Sequence, residues 1–158
     1  MKINPNILRK KVIDMVVEKQ SGHIGGAFSM AELTSVLYED YDIGGKDKLI
    51  LSKGHAVPII YAVLHETGQI SDEDLDLFRE IDSPLQGHPD KLRLPLMDAT
   101  TGSLGQGLSI AIGHSLGKKL KNIQKMRANG KKQQCLLIWQ LIIQLFMKYG
   151  VKTWLIKE

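Results

Sequence analysis

The stretch Asp47 to Leu64, DKLILSKGHAVPIIYAVL, decides the fold. Residues 47–52 form a short apolar run of strand length. Lys53-Gly54-His55 follows as a strand-to-helix turn, since glycine lets the backbone bend sharply or approach a ligand closely. Residues Val57 to Thr67 have a helical pattern, and Gly68 is placed to stop it. A strand running straight into a helix is the building unit of an α/β layer domain.

Upstream, Pro5 precedes Ile7, Leu8, Val12, Met15 and Val16, which predicts an amphipathic helix ending near Glu18. Ser29 and Glu32 have the spacing of a capping box, in which hydroxyl and carboxylate satisfy each other's orphan amides. The helix so started would bury Leu33, Val36 and Leu37. Downstream, Ser71 is expected to cap an acidic helix through Glu80. Residues 82–101 contain Pro84, Pro89 and Pro95. A connection of that length inside a compact domain is usually functional or disordered. From Ser103 the chain reads as a helix that opens on glycines. The expected fold is therefore α/β and helix-rich, with few parallel strands.

The chain has 158 residues, 43% hydrophobic and 24% charged, which suits one soluble globular unit with a core of useful size. Its single cysteine, Cys135, excludes an intrachain disulfide and a cysteine metal site, and fits a reducing compartment. The run Cys135 to Met147 is too short, and too interrupted by Gln140 and Gln144, to span a membrane. MKINPNILRKK carries no apolar run behind its charges, so no leader is expected and the location is read as cytoplasmic. The net charge of +4 is a property of the tail. From Asn122 onward seven lysines and arginines face Glu158 alone. A scattered basic tail without interleaved aromatics reads more simply as solvated than as a nucleic-acid surface.

Three of the five histidines follow glycine in loop-like settings: Gly22-His23, Gly54-His55 and Gly87-His88. An imidazole held on such a turn can donate to a phosphate or move a proton near neutral pH. Singly, each is more often structural; three within 70 residues point to a site. His65 and His114 fall in helical patterns and are read as surface or structural. No two histidines have the i, i+4 spacing of a helical zinc site, so a histidine metal site ranks low. Thr100 to Gly107, TTGSLGQG, places three glycines at a helix start, where free amides and the helix dipole attract an anion. Close packing can also produce such a start.

Four blocks resemble transketolases in order and approximate spacing: SGHIGGAFSMAELTSVLY (21–38), LSKGHAVPIIYAVL (51–64), LQGHPD (85–90) and TTGSLGQGLSIAIG (100–113). The likeness runs from about Lys11 to Lys121. Deoxyxylulose-phosphate synthases share a similar first block, but SKGHA together with QGHP points to transketolase, with the small split-type subunits most similar. The resemblance implies an incomplete thiamin-diphosphate-binding fold over residues 1–122. It implies that His23 faces the substrate channel and that His88 bonds substrate hydroxyls and helps proton transfer. His55 would contact the cofactor diphosphate, and Gly102 and Leu104 would lie along the cofactor. The implied chemistry is transfer of a two-carbon ketol unit between sugar phosphates, a step of the pentose phosphate pathway, with thiamine diphosphate as electron sink and Mg²⁺ bridging its phosphates.

In this family a strand ending in Gly-Asp-Gly and a later Asn hold that cation. This sequence has no Asp-Gly pair and no aspartate after Asp98, and past Asn122 only Asn129 remains. Hard cations need oxygen ligands, usually carboxylates. No metal ligand is therefore assigned, and cofactor binding is expected to be very weak in this chain alone. Residues 123–158 are expected to be a divergent basic tail, either the product of a shifted reading frame or a real extension with a helix over Cys135–Met147 and a strand over Val151–Ile156. The family also draws a glutamate from a pyrimidine-binding domain. A C-terminal transketolase subunit or homodimer partner is thus implied, and the chain alone is expected to be inactive. Two other functions stay open: a non-catalytic interaction module that kept the fold, and, more weakly, a basic nucleic-acid-binding protein. No membrane or nucleic-acid partner is assigned. A sheet lacking its later strands would also present a bare edge.

Overall fold

The computed structural model describes the backbone of residues 2–128 and 153–156 and the side chains of residues 2–122. Helix α1 spans Pro5–Glu18. Asn4 caps it by accepting the Asn6 amide at 2.9 Å, and Pro5 takes the first turn, where its missing N–H costs nothing. Leu8, Val12, Met15 and Val16 are buried along one stripe, as the periodicity predicts.

The next segment departs from expectation. It breaks into α2, Ile24–Phe28, and α3, Ala31–Asp40, and the Ser29/Glu32 capping box does not form. The Ser29 hydroxyl donates to the Gly26 carbonyl oxygen at 2.9 Å instead. Glu32 is taken by Arg9 of α1, whose guanidinium donates to it at 2.7 Å. A charged partner from another helix has outcompeted a local cap. The buried face of α3 is Ala31, Thr34, Ser35 and Leu37, while Val36 is exposed. Small residues there let α3 lie close against α1 and α4.

Strand β1, Lys48–Leu51, falls where the sequence places it, and a 3-10 turn, Gly54–Ala56, leads into α4, Pro58–Glu66. Every residue of α4 from Pro58 to Leu64 is buried, so this helix is the centre of the core. Each large apolar side chain so buried contributes roughly 1.5–3 kcal/mol. Gly68, at φ +71°, ends the run as expected. Helix α5, Asp72–Asp76, has a complete capping box from Ser71 and Asp74 but stops well short of Glu80. Its continuation is blocked where Arg79 turns left-handed, φ +62°, and gives its amide to Leu85 O at 2.8 Å.

Helix α6, Gln106–Ala128, starts three residues later than expected and runs unbroken past Asn122. Strand β2, Thr153–Ile156, falls within the expected 151–156 strand, whose first two residues lie outside the described ones. The expected Cys135–Met147 helix lies outside the described residues. β2 pairs with β1 antiparallel, Lys48 opposite Ile156 and Leu51 opposite Thr153. This corrects the expectation of parallel strands. β2 comes from the tail, and either direction satisfies the outward backbone groups of β1.

β1 is the wall between two packed layers. Leu49 and Leu51 join the main core with α1, α3 and α4, while Ile50 turns the other way onto Ala111 of α6. The α6 start lies so close to the strand end that a methyl group at Gly107 would sit 2.6 Å from Ser52 Cα. The edge of β1 away from β2 is also occupied. The Leu49 amide donates to the Asp98 carboxylate at 2.8 Å, and the Thr101 hydroxyl donates to Leu51 O at 2.6 Å. The expected bare edge is thus absent from β1: side chains from the 82–101 connection close it.

Candidate active site

The three Gly-His turns arise from three different parts of the chain and end near one another. His23 stands just before α2, in extended backbone. Its ring meets the His55 ring edge-on, with centroids 5.3 Å apart. His55 sits in the 3-10 turn after β1 and leans toward Gly26, where a methyl group would meet Nε2 at 3.4 Å. Lys53, two residues earlier, donates to the Ser29 hydroxyl at 3.0 Å. His88 belongs to the 82–101 connection, yet a methyl group at Gly54 would lie 3.1 Å from its Cδ2 and 2.7 Å from Thr101 O. Gly54 is therefore the point where the SKGH turn, the QGH turn and the TTG segment touch.

Between the QGH and TTG segments opens a cleft of about 500 Å³, lined by residues 86–90 and 100–102 with Arg79 and Gln106. A volume of this order suits a small-molecule ligand. Gly102 faces it openly: a methyl there would meet only His88 Cδ2, at 3.9 Å. The Gly102 amide donates to Gln106 Oε1 at 3.3 Å, so a side chain at the start of α6 accepts the hydrogen bond that an anion would take. Leu104 lies in the turn before α6 and is largely exposed, 63%. Of the five nominated residues, His23 meets His55, His88 lies against Gly54 and near Gly102, and Leu104 is exposed in the turn before α6.

Two supports of this site were not nominated from sequence. Tyr61 of α4 is buried, and its hydroxyl donates to Gln86 O at 2.8 Å, fixing the QGH turn to the central helix. Burial, and then the Asp90 charge, push the Tyr61 hydroxyl pKa well up, so it stays a donor. Asp98 is buried beside β1, pairing with Lys48 Nζ at 3.0 Å while it takes the Leu49 amide. Burial first, and the nearby Asp98 charge second, push up the Tyr38 hydroxyl as well. Residues 25 and 49 positions apart make these ties, which is why no local pattern announces them. His65, read as structural, faces Asp72 Oδ1 at 2.7 Å on the surface, and His114 lies exposed on α6.

The residues present fit the diphosphate end of the implied cofactor. Gly102 offers open backbone on the cleft, and His55 stands beside Gly54. They do not fit its cation. Among the described residues no group of three histidine, cysteine, aspartate or glutamate side chains could hold a metal ion. The undescribed residues after 128 contribute only Cys135 and Glu158 as further donors of these kinds. Also among the described residues, no helix is long and apolar enough to cross a membrane.

A glycine-pinned meeting of histidine turns beside a helix start gives this α/β domain a candidate ligand cleft. The particular family follows from its relatives: residues 2–141 match the family of the transketolase thiamine diphosphate binding domain, and the chain belongs to that family. It is 37% identical over 123 residues to a transketolase of Buchnera aphidicola, covering 72% of this chain and 18% of that one. Transketolase 1 of Saccharomyces cerevisiae is likewise 37% identical over 125 residues, covering 74% and 18%. Among solved structures, transketolase from Leishmania mexicana superposes with a TM-score of 0.65 at 34% identity, over 70% of this chain and 18% of that chain. Transketolase from Pichia stipitis in complex with sedoheptulose-7-phosphate gives 0.64 at 31%, over 71% and 18%. The fold is thus that of transketolases, and the chain spans about a fifth of the length of the relatives it matches.

Proposed function

We propose that this chain serves as the diphosphate-binding part of a transketolase assembled from more than one chain. The reaction would be transfer of a two-carbon ketol unit between sugar phosphates. The observation that carries this reading is the meeting of His88 and Thr101 on Gly54, the residue before His55, beside an open cleft that Gly102 lines. When bound, thiamine diphosphate supplies the electron sink for the transferred unit. His55 and the Gly102 amide would hold its diphosphate, the amide exchanging Gln106 for a phosphate oxygen. Leu104 would lie along the cofactor, where its exposure leaves it free to cover a ring. His88, at the cleft, would bond sugar hydroxyls and move their protons, and His23 would face the same channel; imidazoles suit that task near pH 7. Residues 1–122 would carry these roles, with residues 123–158 as a basic appendix.

No step is assigned to a cation, because among the described residues no group of three histidine, cysteine, aspartate or glutamate side chains could hold one. The same gap supports a second reading, a module that binds a partner subunit without turnover. Calorimetric titration of the chain with thiamine diphosphate and excess Mg²⁺ separates the two. Saturable binding that disappears in His55→Ala supports the cofactor role, and ketol transfer after addition of a pyrimidine-domain subunit completes it. Absence of binding at millimolar cofactor, with a partner subunit still retained, leaves the non-catalytic module.

A further inference from the structure

We infer that Lys53 is a positioning residue: through Ser29 it latches α2 to the turn that carries His55, and so sets the meeting of the His23 and His55 rings. The inference rests on the proposed role of those two histidines and adds what holds them together. The bonds form one directed chain. Lys53 Nζ donates to the Ser29 hydroxyl at 3.0 Å, and that hydroxyl donates to Gly26 O at 2.9 Å. A hydroxyl has one proton to give and lone pairs that accept, so Ser29 fills both roles at once. A cation on its oxygen polarises the O–H and strengthens the bond to Gly26.

The link matters because α2 is a poor helix by itself. It has five residues, IGGAF, and Gly25 and Gly26 are two of them. Glycine disfavours a helix, and one so short is marginal in isolation. Its N-cap is His23, whose side chain makes no capping bond, and Ala27 is its one fully buried residue. What fixes α2 must therefore come largely from outside. Arg9 of α1 reaches Phe28 O at 3.4 Å, and Ile24 and Phe28 pack partly buried against the core. Lys53 supplies the tie to the turn after β1.

That tie spans the same gap as the histidine pair. His23 stands at the start of α2 and Ser29 at its end, while Lys53 and His55 project from the facing turn. Gly26, midway, presents bare backbone to that turn: a methyl there would meet His55 Nε2 at 3.4 Å and Ala56 Cβ at 3.5 Å. Helix and turn thus meet at three points, with the rings 5.3 Å apart at one end and the Lys53–Ser29 bond at the other. Opening the Lys53 end leaves only the ring contact and the Gly26 approach to keep the two histidines together.

The test follows the histidine ring signals of the full chain by NMR. Rings as close as those of His23 and His55 should show a mutual NOE in the native chain. Lys53→Met keeps the reach of the side chain and removes its donor, and Ser29→Ala removes the relay. Each should lose most of that NOE and shift both ring signals, while His88, whose turn Tyr61 holds, keeps its own. Lys53→Arg retains a donor and should restore the native signals. The double variant should match either single one, because both break one chain of bonds. Lys11→Met removes a lysine that pairs with Glu66 at 3.3 Å away from the turn, and should leave the rings unmoved. Should Lys53→Met fail to fold by circular dichroism, the milder Ser29→Ala at an exposed residue decides alone. A native NOE with unmoved ring signals in both single variants would overturn the assignment. So would the same loss in Lys11→Met, additive effects in the double variant, or His88 moving as far as His23. Thiamine diphosphate is titrated in parallel. Its failure to bind the native chain removes the cofactor reading and leaves the latch standing, since the NOE needs no ligand.

Discussion

Gly54→Ala tests whether the meeting point of the three turns is as tight as its geometry indicates. The added methyl would lie 2.7 Å from Thr101 O and 3.1 Å from both the Thr101 carbonyl carbon and His88 Cδ2, where ordinary contact begins at 3.4 Å. About 0.7 Å of movement is needed, and the oxygen that must move belongs to a fixed backbone. Thr101 is tied by its hydroxyl to Leu51 O at 2.6 Å and by its amide to Pro89 O at 3.2 Å. Overpacking of this kind costs about 1–3 kcal/mol, roughly a 5- to 150-fold change in the folding equilibrium. Urea denaturation should show a lower midpoint with an unchanged slope. The His88 ring signals should move with it, since Thr101 and His88 share the contact. Gly113→Ala is the control: on α6 with nothing within 4 Å, it should hold or raise stability by up to about 1 kcal/mol. A Gly54→Ala chain with the native midpoint and unmoved His88 signals would refute the tight junction.

Tyr61→Phe leaves Gln86 O without its donor and should cost about 0.5–1.5 kcal/mol in urea titrations, with amide exchange quickening around Gln86. Asp98→Ala strands the Leu49 amide and should cost about 1–3 kcal/mol. In the same variant, ultraviolet titration should find the Tyr38 hydroxyl ionising at lower pH than in the native chain, because one of the two influences raising it is gone. The Arg9 hydrogen bond holds the Glu32 carboxyl below its ordinary 4.5. A depressed carboxylate stabilises the fold above that value and ceases to as pH falls through the folded one. Glu32→Gln should therefore flatten the acid limb of the stability profile below pH 4.5, by a small amount because the pair is exposed. An identical acid limb in native and variant chains would remove Glu32 from the account.

Much of the frame was legible because it is local. DKLILS gives β1, the Pro58–Leu64 apolar block gives α4, and Pro5 with the Leu8–Val16 stripe gives α1. The failures occur where a distant partner takes over. Glu32 leaves its capping role for Arg9, which is 23 residues away. The acidic helix after Ser71 ends early because Leu85 O claims the Arg79 amide. At the site, the glycine–histidine spacing identified three turns but could not show that Gly54 presses two of them together. Nor could it reveal Tyr61 and Asp98, which look like ordinary core and loop residues until the 82–101 connection is laid along β1.

The pairing of β1 with β2 also sets a clock on the folding of this chain. Leu51 and Thr153 face each other across a sequence gap of about a hundred residues. At ribosomal rates of about 5–20 residues per second, the outer edge of β1 waits roughly 5–20 s for its partner strand to be made. Through that interval the α1–α4 core and the Asp98 side of the strand can already be in place. The opposite side remains a template open to any passing extended segment, so the later-made β2 serves as a seal against unwanted neighbours as much as a source of native stability.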